Sequence, residues 1–138
     1  MAKRFYLATR KDRDQEANAL SQALTDRGWE RTFVWSAQDG AGPSRHAEIA
    51  VQELNGVCEA DVLVVLLPGG FGTHVEIGAA LALGKPVILC APNQKTLETP
   101  YPCVFHYHPN VRIFVSETLD VDAVVRIMEL CTGTLSAQ

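Results

Sequence analysis

The sequence predicts an α/β fold: a five-stranded parallel sheet of flavodoxin or Rossmann type, flanked by helices in a three-layer sandwich. Three observations carry that expectation. Short apolar runs alternate with stretches of helical periodicity in the order β-α-β-α-β-α-β-loop-β-α, a pattern that calls for right-handed crossovers and a parallel sheet. The run DVLVVLL at 61–67 is almost continuously apolar, as a central strand covered on both faces must be. Directly after it, PGGFG at 68–72 places three glycines in four positions, where an open α/β sheet holds its ligands.

Taken in order, residues 4–8 (RFYLA) read as a short buried strand between a charged start and a charged stop. Asp12 and Gln15 have the spacing of a capping box, after which Ala17, Leu20, Ala23 and Leu24 recur at helical intervals up to Gly28. WERTFVW at 29–35 alternates as a second strand, with Trp29 and Trp35 read as core residues. SAQDGAGPS at 36–44 is loop chemistry of the kind that covers a ligand. Ser44 is expected to cap a helix over 45–59, with Ala47, Ala50, Leu54 and Val57 inward and Gly56 as its weak point.

After the central strand, residues 73–83 form a helix rich in small side chains that ends at Gly84 and Pro86. PVILC at 86–90 is the fourth strand, NQKTLETPYP a loop, and VRIFV at 111–115 the fifth strand. A last helix over 119–131 carries Asp120 and Asp122 in its first turn, where acidic groups complement the helix dipole.

At 138 residues the chain is read as one domain, residues 1–138, long enough to bury a core without disulfides or metal. Hydrophobic residues make up 47% and charged residues 20%, the composition of a globular protein. A net charge of −4 argues against a nucleic acid polymer as partner, while small anions remain open. Cys58, Cys90, Cys103 and Cys131 lie far apart, without CxxC pairs or zinc-finger spacing, so neither a disulfide framework nor a structural zinc site is expected. That usage fits a reducing, cytoplasmic setting. No apolar leader and no membrane-spanning stretch is read, so no membrane partner is expected.

The glycine loop is neither a dinucleotide fingerprint, which needs glycine where Val75 stands, nor a P-loop, which needs glycine at Ile77. Glycines at a helix N-terminus still favour an anion, because unpaired N–H groups point outward and no Cβ blocks approach. Glu76 admits two readings. With Thr73 it has capping-box spacing, in which both side chains satisfy backbone donors. Alternatively it is a carboxylate kept ionised by the helix N-terminus, as a nucleophile requires.

At this point the residues resemble a known superfamily. Tyr6-Leu7-Ala8, the strand ADVLVVLL and the helix HVEIGAALALGKPV are similar to nucleoside 2-deoxyribosyltransferases and the related 2′-deoxynucleoside 5′-monophosphate N-hydrolases, over roughly residues 4–90. PGGFGTHVE at 68–76 also resembles the PGGxGTxxE loop of cytokinin-activating phosphoribohydrolases, once labelled lysine decarboxylases. The resemblance implies cleavage or transfer of an N-glycosidic bond through a covalent glycosyl-glutamate. Glu76 matches the nucleophile, Gly69, Gly70, Gly72 and Thr73 the loop that holds sugar and phosphate, and Tyr6 and Thr9 the first-strand positions lining the pocket. Where the monophosphate hydrolases carry an Asp, this chain has Glu53, which either reaches the pocket or is a solvated helix residue.

The partner expected is a small nucleoside or nucleotide, with no metal and no organic cofactor. A homodimer or larger homo-oligomer is expected because so short a chain has little material to close a pocket alone. Arg10 and Arg45 are the guanidinium groups suited to phosphate, and His74 stands next to the loop. His106 and His108 in FHYHP alternate on one side of an extended segment, offering two metal ligands and no third. Two rivals stand beside the leading reading: a phosphoribohydrolase acting on ribonucleotides, and a nucleotide-binding module without turnover.

Overall fold

The computed structural model describes residues 3–34 and 42–133. Five strands form one all-parallel sheet: β1 (Lys3–Ala8), β2 (Trp29–Arg31), β3 (Val62–Leu66), β4 (Val87–Ala91) and β5 (Val111–Val115), in the order β2-β1-β3-β4-β5. Four α-helices cover it: α1 (Asp14–Asp26), α2 (Pro43–Glu59), α3 (Phe71–Ala82) and α4 (Val121–Thr132). This is the doubly wound, Rossmann-like α/β fold expected from the sequence. The chain reverses its direction of travel across the sheet between β1 and β3, which makes the carboxyl ends of those strands the switch point.

Side-chain alternation sorts the core into two faces. Phe5 and Leu7 of β1 join Val62, Val64 and Ile88 under α1 and α4. Tyr6 and Ala8 point the other way, joining Leu63, Val65 and Leu89 under α2 and α3. Strand β3 is buried at every position, as its unbroken apolar run requires. At its foot Asp61 accepts the Arg4 N–H at 2.9 Å, so this carboxylate ties β3 to β1 on the side away from the switch point.

Several boundaries differ from expectation, each for a local reason. Asp12 and Gln15 make no capping box: Lys11–Arg13 is a 3-10 turn, α1 begins at Asp14, and the Asp12 carboxylate instead takes both Arg10 donors. Strand β2 stops at Arg31: the Thr32 N–H makes the last bond to β1, donating to Phe5 O at 3.0 Å, while its hydroxyl turns to Gly56 O at 2.7 Å. Trp29 is core, as expected; Trp35 and loop residues 36–41 lie outside the described residues.

Helix α2 starts at Pro43, whose missing N–H is harmless at a first helical position, so Ser44 lies inside the helix and does not cap it. Its inward residues are Ile49, Gly56 and Val57, whereas Ala47, Ala50 and Leu54 face solvent. Gly56 is there for close packing: a Cβ would sit 2.9 Å from Phe33 Cβ and 3.0 Å from the Tyr6 ring. Lys85 donates to the carbonyls of Cys58 and Ala60, closing the far end of the same helix. In FHYHP, Val104–Tyr107 is a 3-10 turn and not an extended segment, so His106 and His108 part company. His106 is buried, while His108 Nδ1 accepts the Asn110 N–H.

Candidate active site

Strand β3 ends at Leu66, and the chain turns through a cis Leu67–Pro68 peptide into the glycine loop. Helix α3 then begins at Phe71, two residues earlier than the spacing suggests, because Gly70 is extended and its N–H donates to Thr73 Oγ1 at 3.1 Å. Thr73 thus closes the helix start without Glu76. Gly69 packs on that same threonine, where a Cβ would lie 2.6 Å from Thr73 Cγ2.

With the helix start moved forward, Glu76 falls in the second turn, one turn deeper than a capping residue. Its side chain is 6% exposed. Tyr6, seventy residues earlier on β1, donates its hydroxyl to Glu76 Oε2 at 2.6 Å. Burial pushes the Glu76 carboxyl up to about 7; the Tyr6 hydrogen bond opposes that rise and the Glu53 charge adds to it. The expectation of a carboxylate held ionised by the helix end is therefore corrected, since the dipole fades within the first turn and desolvation dominates. Tyr6 moves far above the ordinary phenol range, by burial first and then by the Glu76 charge, and remains a neutral donor.

Both side chains line a cavity of about 640 Å³ at the carboxyl ends of β1 and β3. That volume suits a small organic ligand. The sequence-selected residues Thr9, Arg10, Glu53, Gly70, Gly72 and Thr73 border the same space. Thr9 is anchored by its hydroxyl to Leu66 O at 2.8 Å, so its role in the rim is fixed by β3. Arg10 reaches the rim while paired with Asp12. Glu53 is half-buried on α2, close enough to act on the charges of both Glu76 and Tyr6.

Gly69 and His74 are not brought there. They border a shallower neighbouring hollow with Phe71 and Cys103. Arg45 pairs with Glu48 on α2 and does not line the cavity. Residues that sequence reasoning missed complete the main cavity: Asp14 and Asn18, one turn apart on α1, and Arg31 and Phe33 at the end of β2. The only sequence signal for them was position, since Asp14 and Asn18 sit off the apolar stripe of α1. Arg31 is mostly buried, which lowers the pKa of its guanidinium, and its Nε has no hydrogen-bond partner among the described residues.

In chemical terms the cavity offers one buried carboxyl poised between its protonated and ionised forms, a neutral phenol on it, a second carboxylate nearby and guanidinium groups at the rim. The family model of nucleoside 2-deoxyribosyltransferase matches residues 5–130. No curated protein matches the chain by sequence. Among solved structures the fold is similar to that of the CMP N-glycosidase BcmB of Clostridium botulinum, with 23% identity, a TM-score of 0.64 and coverage of 92% of this chain and 99% of that one. A 2-deoxyribosyltransferase from Bacillus psychrosaccharolyticus aligns with 19% identity and a TM-score of 0.62, covering 88% and 89%. A conserved protein from Enterococcus faecalis V583 aligns with 18% identity and a TM-score of 0.66, covering 98% and 100%.

Proposed function

The chain belongs to the nucleoside 2-deoxyribosyltransferase family of enzymes, and we propose that it breaks the N-glycosidic bond of a deoxynucleoside or nucleoside 5′-monophosphate with Glu76 as nucleophile. The observation that supports this best is the buried Glu76–Tyr6 pair on the wall of the cavity at the switch point. Tyr6 occupies Oε2, which leaves Oε1 to attack the anomeric carbon. As the C1′–O bond forms, the C1′–N bond breaks and its electron pair leaves with the base, which takes up a proton. Water, or a second base, then attacks the glycosyl ester from the vacated face, restoring the carboxylate with net retention.

In this reading Glu53 binds the sugar hydroxyls and handles the proton of the base. Gly70, Gly72 and the start of α3 hold the sugar and a 5′-phosphate, with Arg10 and Arg31 as its cations. Glu76 ionises near neutrality, so kcat/KM should rise with pH through a midpoint near 7.

The chain is further proposed to act as a homo-oligomer in a reducing, cytoplasmic setting. Phe71 and Val75 border one hollow and are 97% and 60% exposed, which supports a covered face, and all four cysteines are free. No helix among the described residues is long and apolar enough to cross a membrane.

The test is incubation with deoxynucleosides, ribonucleosides and their monophosphates, with and without a second free base, followed by quantification of released or exchanged base. Release from a deoxy substrate that disappears in Glu76→Ala is the expected result. Release only from ribonucleotides would move the assignment to a phosphoribohydrolase. Binding with equal background release in wild type and Glu76→Ala would leave a binding module.

A further inference from the structure

The hollow on the outer side of the glycine loop gathers three metal-ligating side chains that the glycosidic reading does not use. His74 of α3, Cys103 and His106 each present a ligand atom, and the three atoms lie within 4.8 Å of one another. These residues are 29 and 3 positions apart in the chain, and only the fold of the segment around residues 103–107 against α3 joins them.

The protonation pattern is informative. His74 Nδ1 is 2.8 Å from Gly70 O, which can only accept, so Nδ1 carries the proton and Nε2 presents a lone pair. That Nε2 faces His106 Nε2 at 3.0 Å. His106 is 6% exposed, and its remaining nitrogen, Nδ1, is buried without a hydrogen-bond partner among the described residues. A buried polar nitrogen in that state is costly.

The geometry points to a binding site for a divalent transition metal of zinc type, held by His74 Nε2, Cys103 Sγ and a ring nitrogen of His106, with a fourth position left to water. Two nitrogens bound at about 2.0–2.1 Å in a tetrahedron stand roughly 3.3 Å apart, so the facing imidazoles need separate by only a few tenths of an ångström. The sulfur closes in by a side-chain movement on the order of 1 Å. Thiolate with two imidazoles suits zinc or cobalt(II) and not magnesium or calcium. The His74 Nδ1–H bond to Gly70 O is the orienting contact that ligating histidines commonly make. On binding, Cys103 releases its thiol proton to solvent and the imidazole–imidazole hydrogen bond is replaced by two metal–nitrogen bonds. If the metal takes His106 Nε2, the ring proton moves to Nδ1. The metal would clamp the 103–107 segment to the glycine-loop end of α3.

The test uses the full chain freed of metal with a chelator, then titrated with cobalt(II) and, in competition with a chromophoric chelator, with zinc. One equivalent is expected to bind, with cobalt giving a thiolate charge-transfer band and the intense visible bands of four-coordination. Cys103→Ser should abolish the charge-transfer band, and His106→Gln should weaken binding by at least about 100-fold, the upper end of what loss of an orienting partner alone does. Cys131→Ser and His46→Gln should change neither. Zinc should raise the Tm of wild type and not of Cys103→Ser, a readout that also shows both proteins folded. Substoichiometric binding, a cobalt complex without the thiolate band, or equal affinity in wild type and Cys103→Ser would overturn the site. None of these readouts needs a substrate, so failure here is separate from failure of the glycosidic assignment.

Discussion

Helices α3 and α4 both start just after the carboxyl end of a strand, and they solve that start differently. At α4, Asp120 caps in the ordinary way, its carboxylate accepting the Ala123 N–H at 3.1 Å on the surface. At α3 the acidic group is withdrawn from the helix end. Gly70 and Thr73 close the first turn between them, and Glu76 is carried one turn deeper into the protein, against Tyr6. The carboxylate of α4 serves its own backbone. That of α3 is kept from backbone work, desolvated and placed on the wall of a cavity, an arrangement that costs stability and that the proposed nucleophile would need.

The sharpest way to break the contrast is to remove each acid. Glu76→Gln should lower the rate of base release by about 10³-fold or more, as loss of a nucleophile does. The same change should stabilise the fold at pH 8. A carboxyl raised from 4.5 to about 7 favours folding fully below its unfolded pKa, and that contribution is lost as pH rises through about 7. Glutamine escapes the loss, and on the order of 1–3 kcal/mol should appear in urea unfolding at pH 8 and vanish near pH 4.

Tyr6→Phe should reduce kcat by about 10²-fold and move the acid limb of the pH–rate profile upward, because the hydrogen bond that lowers the Glu76 pKa is gone. Glu53→Gln should move that limb downward by removing a charge that raises it. A limb that stays put in both variants would assign the ionisation elsewhere. The smallest effect belongs to α4: Asp120→Ala should cost about 1 kcal/mol of stability, read by thermal or urea unfolding, and leave base release unchanged.

The same contrast explains what the sequence disclosed. The strand–helix alternation, the buried central strand and the glycine loop were legible because they depend on local periodicity and turn chemistry. The acidic start of α4 was legible for the same reason, but the helix begins at Val121 and not at residue 119, which makes Asp120 its cap. Thr73 was rightly read as a closing residue, but its partner is the Gly70 N–H and not a reciprocal glutamate, since nothing local reveals that α3 starts at a 97% exposed Phe71. The inward face of α2 was rightly read at Val57 and misread at Ala47, Ala50 and Leu54, and Gly56 turns inward because Tyr6 and Phe33, from distant chain segments, pack on it. Tyr6 on Glu76, Arg31 in the cavity and Cys103 beside two histidines are likewise products of topology.

The most direct measurement is on Glu76 itself. Rapid acid quench of wild-type protein turning over a deoxynucleotide, followed by intact-mass and peptide mass spectrometry, should find one deoxyribosyl group on the peptide containing Glu76, and none in Glu76→Ala. A protein that releases base at full rate with Glu76 replaced, or that carries the sugar on a different residue, would contradict the assignment of this carboxylate as the nucleophile.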